Sequence, residues 1–453
     1  MKRKVYSQLL AWKAHDSKKV AILIDGARRV GKSWIAEEFG RNEYETYLMI
    51  DFRLAGPEVR DMFETELDRL DDFFFNLSAY FNVRLIPGKS LLIFDEIQFF
   101  PRAREAIKWL VKDGRFDYIE TGSLVSIDEN VADIQIPSEE RRLTMHPMDW
   151  EEFLWATGNE LLCEALKRSA AAREMPANAI HKRAMELVRQ YMVVGGMPQA
   201  VEVFVQEKDL AAVDRQKRDI LALYRNDIAK HTGRNTRKVQ SVFDGIPSQL
   251  SRHDRIYRLS SLGKNARFRA YEESFFWLDD ARIVNVAYNC TEPNIGLKMS
   301  SDRNTLKLYM GDTGLLVSLA YDESDETRGE VQRLILYGKL EANLGMIMEN
   351  LVGQMIVATG RKLYFYAKSD NLNAEDRMEI DFLVTKQNVG RRHNISPIEV
   401  KKTKRIATSS LDKFKAKFAN DLSTAYIVHT GAYANEDNVV RLPVYLLPMI
   451  LGA

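Results

Sequence analysis

The chain has 453 residues, 45% hydrophobic, with Lys+Arg 65 against Asp+Glu 64 for a net charge of +1. This is an ordinary globular composition, long enough for about two to four domains with sizeable cores. The near-neutral charge excludes neither a nucleic-acid nor an acidic partner, because local patches decide that. No stretch reaches the roughly 18 apolar residues that a membrane span needs, so a membrane-spanning protein is not expected. The amino terminus, MKRKVYSQLLAWKAHDSKK, is broken by charges before a signal-like apolar core can form. Cys163 and Cys290 lie far apart and form no metal-ligand spacing, which reads as two reduced, buried thiols in a cytoplasmic protein.

In chain order, a helix over 4–15 leads into an apolar strand over 20–25, the turn Gly26-Ala-Arg-Arg-Val-Gly-Lys-Ser33 and a helix over 32–39. A strand over 44–51, a helix over 57–75 and a nearly all-apolar strand over 90–96 follow, the last patterned as a central parallel strand buried on both faces. A helix over 103–113 and a strand over 118–121 complete a doubly wound α/β domain that ends near Arg142. From about 148 to 227 the pattern is helical, and 232–321 mixes short helices with strand-like pieces, as a small winged-helix domain would. The run Asp322-Glu-Ser-Asp-Glu-Thr-Arg-Gly-Glu330 has no apolar side chain and reads as a linker. Beyond it, a helix over 334–359, strands over 363–367, 379–385 and 396–401, a helix over 411–419 and a strand over 424–429 form a second α/β unit.

Gly26 to Ser33 fits G-x-x-x-x-G-K-[ST]. Gly26, Ala27, Arg28, Arg29, Val30, Gly31, Lys32, Ser33 and Trp34 are the residues expected at the nucleotide. Backbone N–H groups turn toward the phosphates and the following helix points its positive end at them. Lys32 is expected at the β- and γ-phosphates and Ser33 on Mg²⁺, with Asp95 completing the metal shell from the end of a parallel strand. Glu96 lies where a carboxylate can deprotonate the attacking water. The alternative is a solvated strand end beside a tight turn. Thr121 and Ser123 are expected to sense the γ-phosphate or the water, or else to form a turn. Arg141 and Arg142 are candidates for transition-state stabilisation on a neighbouring subunit's nucleotide, or else a surface pair bridged to Glu139 and Glu140.

Together with Ile93-Phe-Asp-Glu-Ile97, Thr121-Gly-Ser123, Trp150-Glu-Glu-Phe-Leu154, Gly195-Gly-Met-Pro198 and Asp312-Thr-Gly-Leu315, this loop makes nearly the whole chain resemble a prokaryotic family of AAA+-type P-loop ATPases. In that family a carboxyl-terminal domain of restriction-endonuclease-like fold follows the ATPase and winged-helix parts. The chain departs from the pattern at Glu120 before the threonine and at Arg141-Arg142, which lack a preceding glycine. The resemblance implies ATP rather than GTP, for which no base-reading motif is visible, and assembly into homo-oligomers.

In the carboxyl-terminal part, period-two geometry puts Glu379 with Asp381 on one face of one strand, and Glu399 with Lys401 on one face of another. An Asp followed by Glu-x-Lys on the next strand is how PD-(D/E)xK nucleases hold Mg²⁺, the lysine steadying the attacking hydroxide. Asp381, Glu399 and Lys401 are thus the expected catalytic set, and Glu349 is similar to the extra acidic metal ligand of such nucleases. A half-buried strand with one polar face gives the same pattern. Residues 391–417 hold nine basic side chains (Arg391, Arg392, Lys401, Lys402, Lys404, Arg405, Lys413, Lys415, Lys417) against Glu399 and Asp412, a stretch suited to DNA or RNA phosphates.

The expected fold class is therefore α/β: a P-loop ATPase core over 1–147 with an AAA+-like parallel sheet, a helical lid over 148–231, a winged-helix-like domain over 232–321, a linker over 322–330 and a restriction-endonuclease-like domain over 331–453. The expected activity is Mg²⁺-dependent ATP hydrolysis acting on the nuclease-like domain. The alternative is a nucleotide-dependent switch or scaffold that orders a protein assembly and cuts nothing.

Overall fold

The computed structural model describes residues 1–122, 137–252, 255–261, 267–294, 296–322, 324–341, 343–368, 377–386, 390, 392–402, 408–436 and 438–452. They divide into two compact units, Met1–His146 with Asp280–Arg282, and Pro147–Asp279 with Ile283–Ala453.

The first unit is built on five strands, β1 (Ala21–Asp25), β2 (Thr46–Asp51), β3 (Ser90–Asp95), β4 (Asp117–Thr121) and β5 (Glu140–Thr144), all parallel in the order β2-β3-β4-β1-β5. Every residue of β1, β3 and β4 is buried; β1 and β3 are mainly apolar runs suited to central parallel strands, whereas β4, DYIET, also buries Asp117, Glu120 and Thr121. One face carries a phenylalanine cluster in which Phe63 meets Phe52, Phe73 and Phe94 at centroid distances of 5.4, 5.0 and 5.6 Å. Each ring so buried contributes about 1.5–3 kcal/mol relative to exposure. Two details differ from expectation. The helix expected over 57–75 is two helices, Pro57–Thr65 and Leu70–Phe81, separated by a turn at Glu66 to Arg69. A fifth strand, Glu140–Thr144, lies at the sheet edge where none was expected, because its polar sequence ERRLT carries no apolar signal.

The second unit opens with five helices between Trp150 and His231. The first is started by a reciprocal capping box in which Asp149 accepts from the Glu152 N–H at 2.9 Å and Glu152 accepts from the Asp149 N–H at 3.1 Å. Helices Thr236–Asp244, Ile246–Leu250 and Phe268–Asp280 precede the antiparallel pair β6 (Val284–Cys290) and β7 (Ser301–Met310). Then come β8 (Leu363–Lys368), β9 (Met378–Thr385), β10 (Ile395–Val400), β11 (Ala425–His429), β12 (Ala434–Glu436) and β13 (Val439–Pro443). All eight form one sheet in the order β12-β13-β11-β10-β9-β8-β6-β7. Strands expected in two separate domains thus pair directly, β6 with β8 in parallel register from Ala287↔Leu363. The stretch expected as a linker is largely the first turns of the helix Asp325–Leu336, capped by the Ser324 hydroxyl on the Thr327 N–H.

The motifs Gly195-Gly-Met-Pro198 and Asp312-Thr-Gly-Leu315 meet inside this unit. Asp312 accepts from the N–H groups of Gly196 at 2.5 Å and Leu315 at 2.9 Å, closing one turn and starting the helix Thr313–Ala320. A side chain at Gly195 would bring its Cβ to 2.2 Å from the Asp312 carboxylate, at a φ of +81°. These motifs are a packing junction.

Candidate nucleotide site and carboxyl-terminal carboxylate cluster

Strand β1 delivers the chain into the Gly26–Ser33 loop, and the helix Lys32–Glu43 leaves it. Gly26, at φ +151°, packs so closely on the Met145 carbonyl that a Cβ would lie 2.2 Å from its oxygen, and Gly31 starts the helix from the left-handed region at φ +95°. Only glycine fits both constraints at once. Arg3, buried at the amino terminus, fastens the loop through the carbonyls of Val30 at 2.9 Å and His146 at 2.6 Å. Nothing in the sequence pattern marks that role. Arg29 and Trp34 are exposed, Arg28 is half-buried, and Ala27 and Val30 are buried under the loop.

The Lys32 ammonium donates to the carbonyls of Gly26 and Ala27, both at 3.1 Å. Burial pulls its pKa down from the ordinary lysine value, opposed by Glu96, Asp95 and Asp25. At the end of β3, Asp95 accepts hydrogen bonds from the Ser33 hydroxyl at 2.6 Å and from the Thr121 hydroxyl. Burial raises the Asp95 pKa while those two hydroxyls hold it down. Glu96 follows at φ +54°, half-buried; its N–H donates to Thr121 Oγ1 at 3.4 Å and its carboxylate accepts from the Gln98 amide. Four expected residues, Ser33, Asp95, Glu96 and Thr121, are thus brought together beside Lys32. A hydroxyl and a carboxylate oxygen 2.6 Å apart are the hard oxygen donors that suit Mg²⁺. Ser123 lies outside the described residues.

Arg141 and Arg142 sit on the edge strand β5, both exposed. Arg141 pairs with Asp16 at 2.8 Å. Glu140, expected as a partner for one of them, is instead held in a buried two-point pair with Arg104, at 2.7 and 2.8 Å.

In the second unit, the helix Leu344–Ala358 buries Glu349 against Lys307 and Tyr309 of β7. Glu349 accepts from the Tyr309 hydroxyl at 2.6 Å, meets Lys307 at 3.3 Å and pairs with Arg255. Lys307 also bonds Glu379 at 2.7 Å. Asp381 accepts the Val400 N–H at 2.8 Å, and Glu399 pairs with Lys401 at 2.8 Å. Burial, then repulsion from Glu349, pushes the Asp381 pKa up to about 7, against Lys307 and Arg255. Burial also raises Glu399, with Lys401 opposing. Burial works against the Lys307 charge, yet Glu349, Glu379 and Asp381 outweigh it and raise its pKa. Among the described residues no group of three or more Asp, Glu, His or Cys side chains is arranged to hold a metal ion. The sequence reading missed Lys307, Tyr309 and Arg255; the available signal was one lysine in the apolar strand Leu-Lys-Leu-Tyr-Met. In the basic stretch, Arg392, Lys402 and Lys417 are exposed, while Arg391, Lys404 and Arg405 lie outside the described residues.

Residues 18–154 match the family model of the AAA domain. Match and loop geometry agree. This part of the chain is an ATP-binding P-loop domain. Residues 185–326 match a domain of unknown function, DUF8612, and residues 344–447 match another, DUF4143. No curated protein matches the chain. Among solved structures, PCH-2 of C. elegans is 14% identical with a TM-score of 0.22, covering 48% of this chain and 68% of its own. Cdc6p from Pyrobaculum aerophilum is 11% identical with a TM-score of 0.26, over 74% and 94%. The Hef helicase domain of Pyrococcus furiosus is 12% identical with a TM-score of 0.19, over 95% and 89%. No helix among the described residues is long and apolar enough to cross a membrane.

Proposed function

We propose that the chain hydrolyses ATP with Mg²⁺ at the Gly26–Ser33 loop, and that this cycle changes the state of a nuclease-like, nucleic-acid-contacting carboxyl-terminal region. The observation that carries the reading is the convergence of the Ser33 and Thr121 hydroxyls on Asp95, with Glu96 directly after it. A Mg²⁺ ion held by Ser33 and Asp95 would supply positive charge to the phosphate oxygens. Loop N–H groups orient the phosphates, and Lys32 exchanges its two carbonyl partners for phosphate oxygen. Glu96 accepts the proton of the attacking water, its carboxylate aimed by Gln98, while Thr121 holds the Asp95 side chain and the Glu96 backbone in register. Arg141 or Arg142, on the exposed edge strand, is proposed to reach the nucleotide of a neighbouring copy in a homo-oligomer.

For the carboxyl-terminal region, the order helix, three strands, helix, strand from Leu344 to His429 supports a restriction-endonuclease-like arrangement. Three helices followed by the β6–β7 hairpin support a winged-helix-like element before it. The buried free thiols Cys163 and Cys290 suit a cytoplasmic site of action. The second reading, a switch that orders a protein assembly without cutting nucleic acid, is favoured by the Lys307 and Arg255 ion pairs on the carboxylates. The test is ATPase measured with and without duplex DNA, single-stranded DNA and RNA. Stimulation by one of them is expected; slow turnover unaffected by all three, with a nucleotide-dependent change in oligomeric state, would replace this reading with the switch.

A further inference from the structure

A metal-dependent nuclease leaves its clustered carboxylates uncompensated by the chain, so that a divalent cation supplies the missing positive charge. Here the chain supplies it. Lys307, with none of its side chain exposed, extends from β7 past the ring of Phe365, 5.0 Å from the centroid, to Glu349 at 3.3 Å and Glu379 at 2.7 Å. Arg255 takes the second oxygen of Glu349, and the Tyr309 hydroxyl shares the first with Lys307 at 2.6 Å. Glu349 therefore faces two cations and a hydroxyl. One oxygen of Asp381 is held by the Val400 N–H, while the Glu399–Lys401 pair is common to a nuclease and to a closed cluster.

A buried ammonium is costly unless paired, so Lys307 and its carboxylates hold each other in place. A divalent ion brought to the same carboxylates would meet that ammonium in a medium of low dielectric, where like charges repel strongly.

We propose that the Lys307 ammonium takes the place a nuclease gives to its metal ion. The carboxylate cluster of this chain is closed to Mg²⁺ and Mn²⁺, and the region contacts its ligand without cutting it. The inference rests on the nuclease-like reading of these strands and is independent of ATP hydrolysis, whose failure is read in the ATPase assay.

The experiment is Mn²⁺ binding to the full chain without nucleotide, by electron paramagnetic resonance and by thermal melting. Wild type is compared with Lys307→Ala, each with and without Asp381→Asn, so that the Asp381-dependent part separates this cluster from the P-loop. Wild type is expected to have no Asp381-dependent Mn²⁺ site. Lys307→Ala is expected to gain one that Asp381→Asn removes, with a melting temperature that rises on adding Mn²⁺. If Lys307→Ala does not fold alone, Mn²⁺ is expected to rescue its folding, and Lys307→Met with Glu349→Gln is expected to fold without metal. Wild-type Mn²⁺ binding, or plasmid or RNA cleavage in Mn²⁺, that Asp381→Asn removes would overturn the proposal. So would a folded Lys307→Ala that gains no Mn²⁺ site.

Discussion

At the scale of single residues, the P-loop site separates holding a nucleotide from hydrolysing it. In the proposed reading Lys32 meets phosphate oxygen, whereas Glu96 stands beside Asp95, with its carboxylate held by Gln98. Lys32→Ala is therefore expected to weaken ATP binding strongly. Glu96→Gln preserves shape and hydrogen bonding but removes the proton acceptor, so ATP binding should stay near wild type while turnover falls by about 10²-fold or more, the scale of a general base. Equilibrium binding of a fluorescent ATP analogue and steady-state phosphate release check the pair; wild-type turnover in Glu96→Gln would move the role to a residue near Thr121. Most of this site was legible because each residue sits at a fixed spacing from an apolar strand. Arg3 was not, since it reaches Val30 across 27 residues through a long side chain that no local pattern encodes. Lys307 was hidden for a related reason: its partners lie 42 and 72 residues away.

At the scale of elements, strands with two buried faces announced themselves, as β3 does, while the edge strand β5 and the helix Asp325–Leu336 did not. An edge strand needs only a paired backbone, and a helix surface can be charged throughout its first turns. The long helix Leu210–His231 carries a consequence that burial makes measurable. Lys217, with no exposed side chain, donates to the carbonyls of Val193 at 2.6 Å and Gly314 at 3.2 Å, with Asp214 at 3.9 Å. Burial lowers its pKa to about 8, against Asp214 and Asp312 and with Arg218. An unfolded lysine titrates near 10.4. Between about pH 8 and 10 the unfolded chain therefore holds more protons than the folded one, and stability should rise with pH across that window. The full effect is about 3 kcal/mol, with only part of it present by pH 9.5. Above about pH 10 the buried tyrosines, whose pKa values are raised, oppose it. Urea midpoints at pH 7.5 and 9.5 test this: the wild-type midpoint should rise, and Lys217→Met should flatten the change. An equal rise in the variant would assign it to another group.

At the scale of the whole chain, near-zero net charge conceals a sequence that segregates its basic residues. Nine of them crowd into 391–417, and of those Arg392, Lys402 and Lys417 are exposed. The sequence could show this crowding but not that β6 and β7 extend the carboxyl-terminal sheet, because pairing between Ala287 and Leu363 is a long-range choice with no local signature. It also could not show that carboxylates at metal-site spacing are already paired by cations from β7 and from Arg255. If the basic stretch contacts phosphates, binding should be electrostatic and independent of any cut. About three to five contacts would release counterions so that log K falls against log salt with a slope of roughly −2.7 to −4.5 for duplex DNA. Lys402→Ala should lower the slope by about one while weakening all sequences alike. Lys402 donates to the Glu341 carbonyl at 3.4 Å, but Lys417 is the less informative choice, because its ammonium bonds the Tyr366 hydroxyl at 3.3 Å and lies over the Phe418 ring, so its loss would disturb packing as well as charge. Fluorescence anisotropy with labelled duplex at several salt concentrations reads both slopes. A flat dependence, or no binding at low salt, would leave the stretch a solvated surface and direct the search toward a protein partner.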